Sequence, residues 1–345
     1  MRPLPILIAG LTGGLFVLAA HAIDITGAGS TFAAPLYTKW ATGYRKSGGG
    51  KVSYHAIGSS EGIKQLLANE VDFAGSDAPL TDDELRKGGL QQFPTAIGGV
   101  VPVVNLPGIK PGELTLSGPV LADIFLGKIR FWDDAAIAQL NPKVKMPDTP
   151  IAVVHRQDGS GTSLIWTHYL AQVNPEWKHK VGEGTSVHWP LGIAGRGNEG
   201  VATFVGYLPG AIGYVAWDFT KQNHLTYTAM KNASGTSVEP GPRTFQAAAA
   251  GADWSRSPYR ILTNQPGNDA WPVTGATYVL LNTTRDKPDH SEETLKFFDW
   301  AFTNGVQTAQ DLDYIPLPDS VVTETRSQWH AKAADDAVRK PVLGQ

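Results

Sequence analysis

An α/β fold with largely parallel sheets is what the sequence predicts, and three observations predict it. Short apolar, β-branched runs alternate with helix-period segments through most of the 345 residues. Three of the runs lead into one local design, a turn of Gly and Ser/Thr followed by a helix-like stretch. Each such turn falls at the carboxyl end of an expected strand, where open α/β sheets place their ligands.

In chain order, the expected strand Ile23-Asp24-Ile25 enters the turn Thr26-Gly27-Ala28-Gly29-Ser30-Thr31-Phe32, and Leu36, Tyr37, Trp40 and Tyr44 then share a helix face. Val52 to Ile57 enters Gly58-Ser59-Ser60-Glu61-Gly62, followed by a face of Ile63, Leu66 and Leu67. Val71-Asp72-Phe73 leads to the polar turn Ala74-Gly75-Ser76-Asp77-Ala78-Pro79. Ile151 to Val154 enters Arg156-Gln157-Asp158-Gly159-Ser160-Gly161-Thr162-Ser163, followed by Leu164, Ile165, Tyr169 and Val173 on one face. Asn232 to Pro242, rich in Gly, Ser and Pro, reads as a surface loop. Two apolar strands, Val100 to Val104 and Tyr278 to Leu281, read as crossings between lobes. The expected division is a leader over 1–22, lobe I from 23–102 plus 279–345, and lobe II inserted over 103–278.

The leader carries one charge, Arg2, an apolar run from Ile6 to Ala20 and the small-x-small ending Ala20-His21-Ala22, so export with cleavage after Ala22 is expected. Export meets an oxidising compartment, yet the chain has no cysteine, so a packed core rather than disulfides must hold it. Ten Trp, ten Tyr and twelve Phe are the material for that core. A formal net charge of −3, one unit more negative without Arg2, argues against a nucleic-acid partner. No P-loop, no H-E-x-x-H and no metal-ligand spacing occurs, so neither cofactor nor metal is expected.

Helix N-termini with free N–H groups and hydroxyls favour negative charge, and three of them could surround one small anion. Arg156 adds a planar fork that can grip two oxygens, and Asp158 can orient it. Each feature has a plainer reading too: the turns as ordinary helix caps, Asp158 as an Asx turn, and Asp77 as a cap for Thr81-Asp82-Asp83-Glu84. Gly58-Ser59-Ser60-Glu61-Gly62 is also a literal G-x-S-x-G, which keeps an exported phosphatase or serine hydrolase as an alternative beside a binder of another oxyanion.

With these residues in view, the chain from about Ile23 onward resembles the periplasmic phosphate-binding proteins of Pst-type ABC importers. The matching stretches are Gly27 to Phe32, Ile57 to Ser60, Gly75 to Leu80 and Asp158 to Ser163. Others are Gly127-Lys128-Ile129 with Trp132-Asp133-Asp134, Leu208 to Tyr214, Phe297 to Trp300 and Leu317-Pro318-Asp319. The resemblance implies a type II periplasmic-binding-protein fold, two α/β lobes joined by two hinge strands that close on phosphate. It implies phosphate contacts from Thr31, from Phe32 through its backbone N–H, and from Ser59, Asp77, Arg156, Ser160, Gly161 and Thr162, with Asp158 holding Arg156. It also implies a non-enzymatic, periplasmic monomer that delivers inorganic phosphate to the permease subunits and ATPase of the importer. Glu61 and Ala33 depart from the family's common Gly and Pro, and no lipobox Cys follows the leader.

Overall fold

Glycine placement decides how the first strand runs. In the computed structural model, which describes residues 23–252, 254, 261–282 and 288–339, strand β1 spans Ile25–Gly29 and so absorbs residues that the sequence assigns to a turn. A Cβ on Gly27 would lie 2.2 Å from the Phe73 ring, and one on Gly29 2.1 Å from the Gly75 carbonyl. The glycines therefore permit strands to meet closely rather than make a bend. The leader and its cleavage site lie outside the described residues.

The order continues with α1 (Ala34–Lys46), β2 (Val52–Ala56), α2 (Ser59–Leu67), β3 (Phe73–Ser76), α3 (Asp82–Gly88), β4 (Leu90–Val104), β5 (Thr115–Leu116), α4 (Gly118–Phe125) and α5 (Ala135–Leu140). Then come β6 (Ala152–Arg156), α6 (Gly161–Val173), α7 (Pro175–Lys180), β7 (Ile193–Gly195), α8 (Gly197–Tyr207), β8 (Ala211–Ala216) and α9 (Trp217–Gln222). The remainder is β9 (Thr226–Tyr227), β10 (Ala229–Lys231), β11 (Ser237–Val238), α10 (Pro242–Ala250), β12 (Thr274–Asn282), α11 (Pro288–Asn304), α12 (Val306–Asp311) and α13 (Asp319–Arg339).

Strands form a sheet in the order β2-β1-β3-β12-β4-β8-β6-β7, with β9 also on β4. Its flanks, β2-β1-β3 and β8-β6-β7, are parallel. Its centre is antiparallel, because β4 and β12 run against each other and against their outer neighbours β8 and β3. The expected parallel character thus holds only where βα turns follow the strands. Residues Leu90 to Gly99 of β4 pair with β12, whereas Val100 to Val104 pair with β8, so one strand serves both halves. Tyr278 to Leu281 pair with β3 and with Gln91 to Pro94, well inside the first half; the returning strand is already paired with Gly99 at Thr274.

The core is aromatic. Trp132, Trp166, Trp177 and Trp271 are fully buried, and the Trp271 indole donates to the Val100 carbonyl where β4 changes partners. Helix α1 buries Leu36, Tyr37, Trp40 and Tyr44 as its spacing predicts. Leu67 departs from expectation: it ends α2 half exposed, because only Leu66 of that pair turns fully inward. The segment from Asn232 to Pro242 is not a plain loop either. Strand β11 lies within it and pairs with β10, which ends just before it at Lys231, and Asn232 organises the bend by accepting N–H bonds from Ser234 and Thr236 at 3.1 Å.

Candidate anion site

Four βα turns named from the sequence meet at one place. In the first, the Ser30 hydroxyl accepts from the N–H groups of Phe32 (3.0 Å) and Ala33 (3.2 Å), closing the turn that leads into α1. Its proton goes to Asp77 Oδ1 at 2.6 Å. The Phe32 N–H, which the resemblance assigns to the ligand, is therefore engaged by Ser30 in this structure. The Phe32 ring is core, edge-on to Tyr314 with centroids 5.8 Å apart.

In the second turn, Gly58 takes a positive φ of 97° and its α-carbon faces Asp158, so closely that a Cβ would lie 2.4 Å from Oδ2. Ser59 Oγ accepts the N–H groups of Gly161 (3.1 Å) and Asp77 (3.3 Å), which leaves its own proton available. Ser60, the serine of the G-x-S-x-G pattern, bonds Thr185 Oγ1 at 3.1 Å and not a histidine, so it lacks the base that a hydrolase nucleophile needs. Glu61 is half exposed and pairs with Lys64 at 3.6 Å, which turns its charge outward.

Asp77 follows β3 and is almost wholly buried. It caps nothing downstream, because Thr81 and Glu84 make their own reciprocal capping box at the start of α3. Burial pushes its carboxyl up to about 6, against the pull of the Ser30 and Thr277 hydroxyls and of the Arg156 charge. Oδ1 is satisfied by Ser30; Oδ2 is buried with no hydrogen bond of regular geometry.

Arg156, at the end of β6, has a side chain only 1% exposed. Its Nε donates to Asp158 Oδ1 at 2.9 Å and its Nη2 to Asp158 Oδ2, a two-bonded fork. Asp158 Oδ1 also accepts the Gly197 N–H at 2.9 Å. Burial pushes the Asp158 carboxyl up, but the Arg156 bonds and charge outweigh it and hold the pKa below the usual carboxylate value. The third guanidinium nitrogen, Nη1, is buried without a partner. Ser160 caps α6 by accepting from the Ser163 N–H at 3.1 Å, and Thr162 is buried beside it.

The structure thus brings Thr31, Ser59, Asp77, Arg156, Asp158, Ser160, Gly161 and Thr162 together through direct contacts between turns. It adds a residue that sequence reading missed, Asn198 in the first turn of α8, whose side-chain amide donates to Thr31 Oγ1 at 2.8 Å and to Thr162 Oγ1 at 3.4 Å. The signal that could have found it is Gly195-Arg196-Gly197-Asn198-Glu199-Gly200, a fifth Gly-rich turn opening an apolar helix. No cluster of three or more metal-ligating side chains occurs among the described residues. The site offers neutral hydroxyls, one guanidinium nitrogen and one carboxyl oxygen, a set that suits a small oxyanion able to donate a proton.

Gly161 permits a close approach of the third turn to the second turn and to Asp77. A Cβ there would lie 2.6 Å from both Asp77 Cβ and Ser59 Oγ and 2.7 Å from the Asp77 backbone nitrogen. Gly161→Ala is expected to hold the third turn off the first two and to weaken anion binding by at least about tenfold, or 1.4 kcal/mol. Calorimetric titration checks this, and undiminished affinity would show that the turns need not close so far.

A family model described as a PBP superfamily domain matches residues 18–304. The chain is 49% identical over 316 residues to the phosphate-binding protein PstS of Pasteurella multocida, covering 91% of this chain and 92% of that protein. It is 48% identical over 312 residues to PstS of Haemophilus influenzae, covering 90% and 93%. Among solved structures, a phosphate-binding protein from Stenotrophomonas maltophilia matches with a TM-score of 0.65 at 22% identity, covering 89% of this chain and 94% of that one. PfluDING, a high-affinity periplasmic phosphate-binding protein solved with phosphate, matches with a TM-score of 0.71 at 23% identity, covering 88% and 93%. At those identities the structures speak to the fold, which is that of the periplasmic binding proteins.

Proposed function

The chain belongs to the PstS family of phosphate-binding proteins, and from that premise we propose that it captures inorganic phosphate in the periplasm for an ABC importer, at the turns described above. Thr31, Phe32, Ser59, Asp77, Arg156, Ser160, Gly161 and Thr162 are the proposed contacts, with Asp158 holding the Arg156 fork. The observation that carries this reading is the pair of buried, unpartnered polar atoms, Arg156 Nη1 and Asp77 Oδ2. Left alone each costs about 1–3 kcal/mol or more. An anion that accepts one bond and donates one satisfies both. Phosphate near neutral pH, which keeps a proton, does so.

The protein is a solute-binding component rather than an enzyme. Residues 23–102 plus 279–345 would form one lobe and 103–278 the other, with β4 and β12 as the hinge strands. Thr31, Ser59 and Asp77 come from the first lobe and Arg156 to Thr162 from the second, so closure would dehydrate the ion from both sides. The leader would be cleaved after Ala22, and the closed monomer would dock on the permease subunits, whose cycle the ATPase drives.

Calorimetric titration of mature, ligand-stripped protein near pH 7 tests the reading. Tight one-to-one phosphate binding without a sulfate signal is expected. Equal binding of both anions, or of neither, would mean that the fold serves another ligand.

A further inference from the structure

A hydroxyl stabilises an anion only as a donor, yet a threonine hydroxyl can turn its proton either way. Ser59 shows one solution, since two backbone N–H groups occupy its lone pairs. Thr31 and Thr162 have no such arrangement of their own. Asn198 supplies it. Its side chain is fully buried at the start of α8, and its Oδ1 accepts the Ala216 N–H at 3.0 Å, which fixes the amide so that Nδ2 faces the threonines. Nδ2 donates to Thr31 Oγ1 at 2.8 Å and to Thr162 Oγ1 at 3.4 Å, and the Asn198 backbone N–H donates to Thr31 Oγ1 at 3.3 Å.

We propose that Asn198 is a positioning residue that presets the hydroxyls of Thr31 and Thr162 as donors toward the bound anion. The inference rests on the phosphate site set out above. The dipoles run head to tail, from the Ala216 N–H through the Asn198 amide to each threonine oxygen, so each O–H is left to point at the ligand. Thr31 lies in the β1–α1 turn and Asn198 in the first turn of α8, 167 residues apart. The polarity of Thr31 is therefore set when the two halves meet, and not before. This links closure to affinity at a position that need not touch the ion.

The rival reading is that Asn198 acts only through the Ala216 N–H, by holding α8 against β8. A double-mutant cycle separates the two. With phosphate titrated by calorimetry, Asn198→Leu in the wild-type background is expected to bind on the order of tenfold to a hundredfold more weakly, the loss usual for outer partners of a bound ion. In a Thr31→Val, Thr162→Val background the same change is expected to cost less than about threefold, because no hydroxyl remains to orient. Equal losses in both backgrounds would overturn the proposal.

Asn198→Asp gives a second readout should the valine pair bind too weakly to measure. Ionised, its carboxylate takes the threonine protons; protonated, it can donate again. Its deficit relative to wild type should shrink as pH falls from about 8 to about 5, and a deficit independent of pH would again overturn the proposal. A wild type that takes up no phosphate would instead sink the site reading, and this inference with it.

Discussion

Replacing Arg156 with Gln is expected to weaken phosphate binding by roughly a hundredfold to a thousandfold, about 3–4 kcal/mol, the scale of losing one member of a buried charged pair. Two effects add. The substitution removes the buried Nη1 donor, and it leaves Asp158 with only the Gly197 N–H among the bonds described here. A carboxylate whose charge had been matched by the guanidinium would then repel the incoming anion. Arg156→Gln with Asp158→Asn should accordingly bind better than Arg156→Gln alone, because the second change removes the repulsion that the first exposes. Arg156→Lys keeps the charge but not the planar fork, so it should fall between wild type and Gln. Calorimetric titration of the four proteins, with thermal melts to confirm folding, decides this. If the double variant binds no better than the single, Asp158 acts by shape and not by charge.

The second large effect concerns selectivity. Asp77 spends Oδ1 on the Ser30 hydroxyl and keeps Oδ2 buried and unpartnered. Phosphate can place its proton between itself and Oδ2. Sulfate, fully ionised, would set two acceptors face to face with nothing between them, at a cost of at least about 1–3 kcal/mol. Asp77→Asn replaces that acceptor with an amide donor, so the phosphate-to-sulfate affinity ratio is expected to fall at least about tenfold. An unchanged ratio would refute the role.

The same residue gives the ligand-free protein a pH signature. Burial raises its carboxyl from 3.8 to about 6, so the folded state favours the neutral acid. The associated stability is present below about 4 and is lost as pH rises through about 6. It amounts to about 3 kcal/mol at most from a two-unit shift. Wild type should lose stability over that window relative to Asp77→Asn, as read by denaturant midpoints at a series of pH values.

Much of the fold was legible because it is local. Strand-to-turn-to-helix patterns around Ser30, Ser59 and Ser160 depend on residues a few positions apart, and the helices formed where the apolar spacing placed them. Where a second segment intervenes, sequence reading failed. The glycines of β1 looked like a turn because the Phe73 ring that requires them comes from another strand. The antiparallel centre of the sheet went unread because nothing near Val100 or Tyr278 states which way a neighbour runs. Leu67 looked buried because periodicity cannot tell where a helix leaves the core.

The same division separates the chemistry. By itself the sequence determined which side chains can hold an anion: the serines and threonines of the turns, the single guanidinium of Arg156, and its proximity to Asp158. Those are matters of residue type and short spacing, and no folding is needed to state them. Only the tertiary structure decided which way the protons point and which atoms remain unpartnered. Hydrogen-bond direction at Ser59 and Thr31 is imposed by N–H groups from turns 102 and 167 residues away. Burial decides that Arg156 Nη1 and Asp77 Oδ2 are out of reach of bulk solvent. A short hydroxyl is ambivalent until its surroundings choose for it, and here part of those surroundings comes from segments far away in the chain.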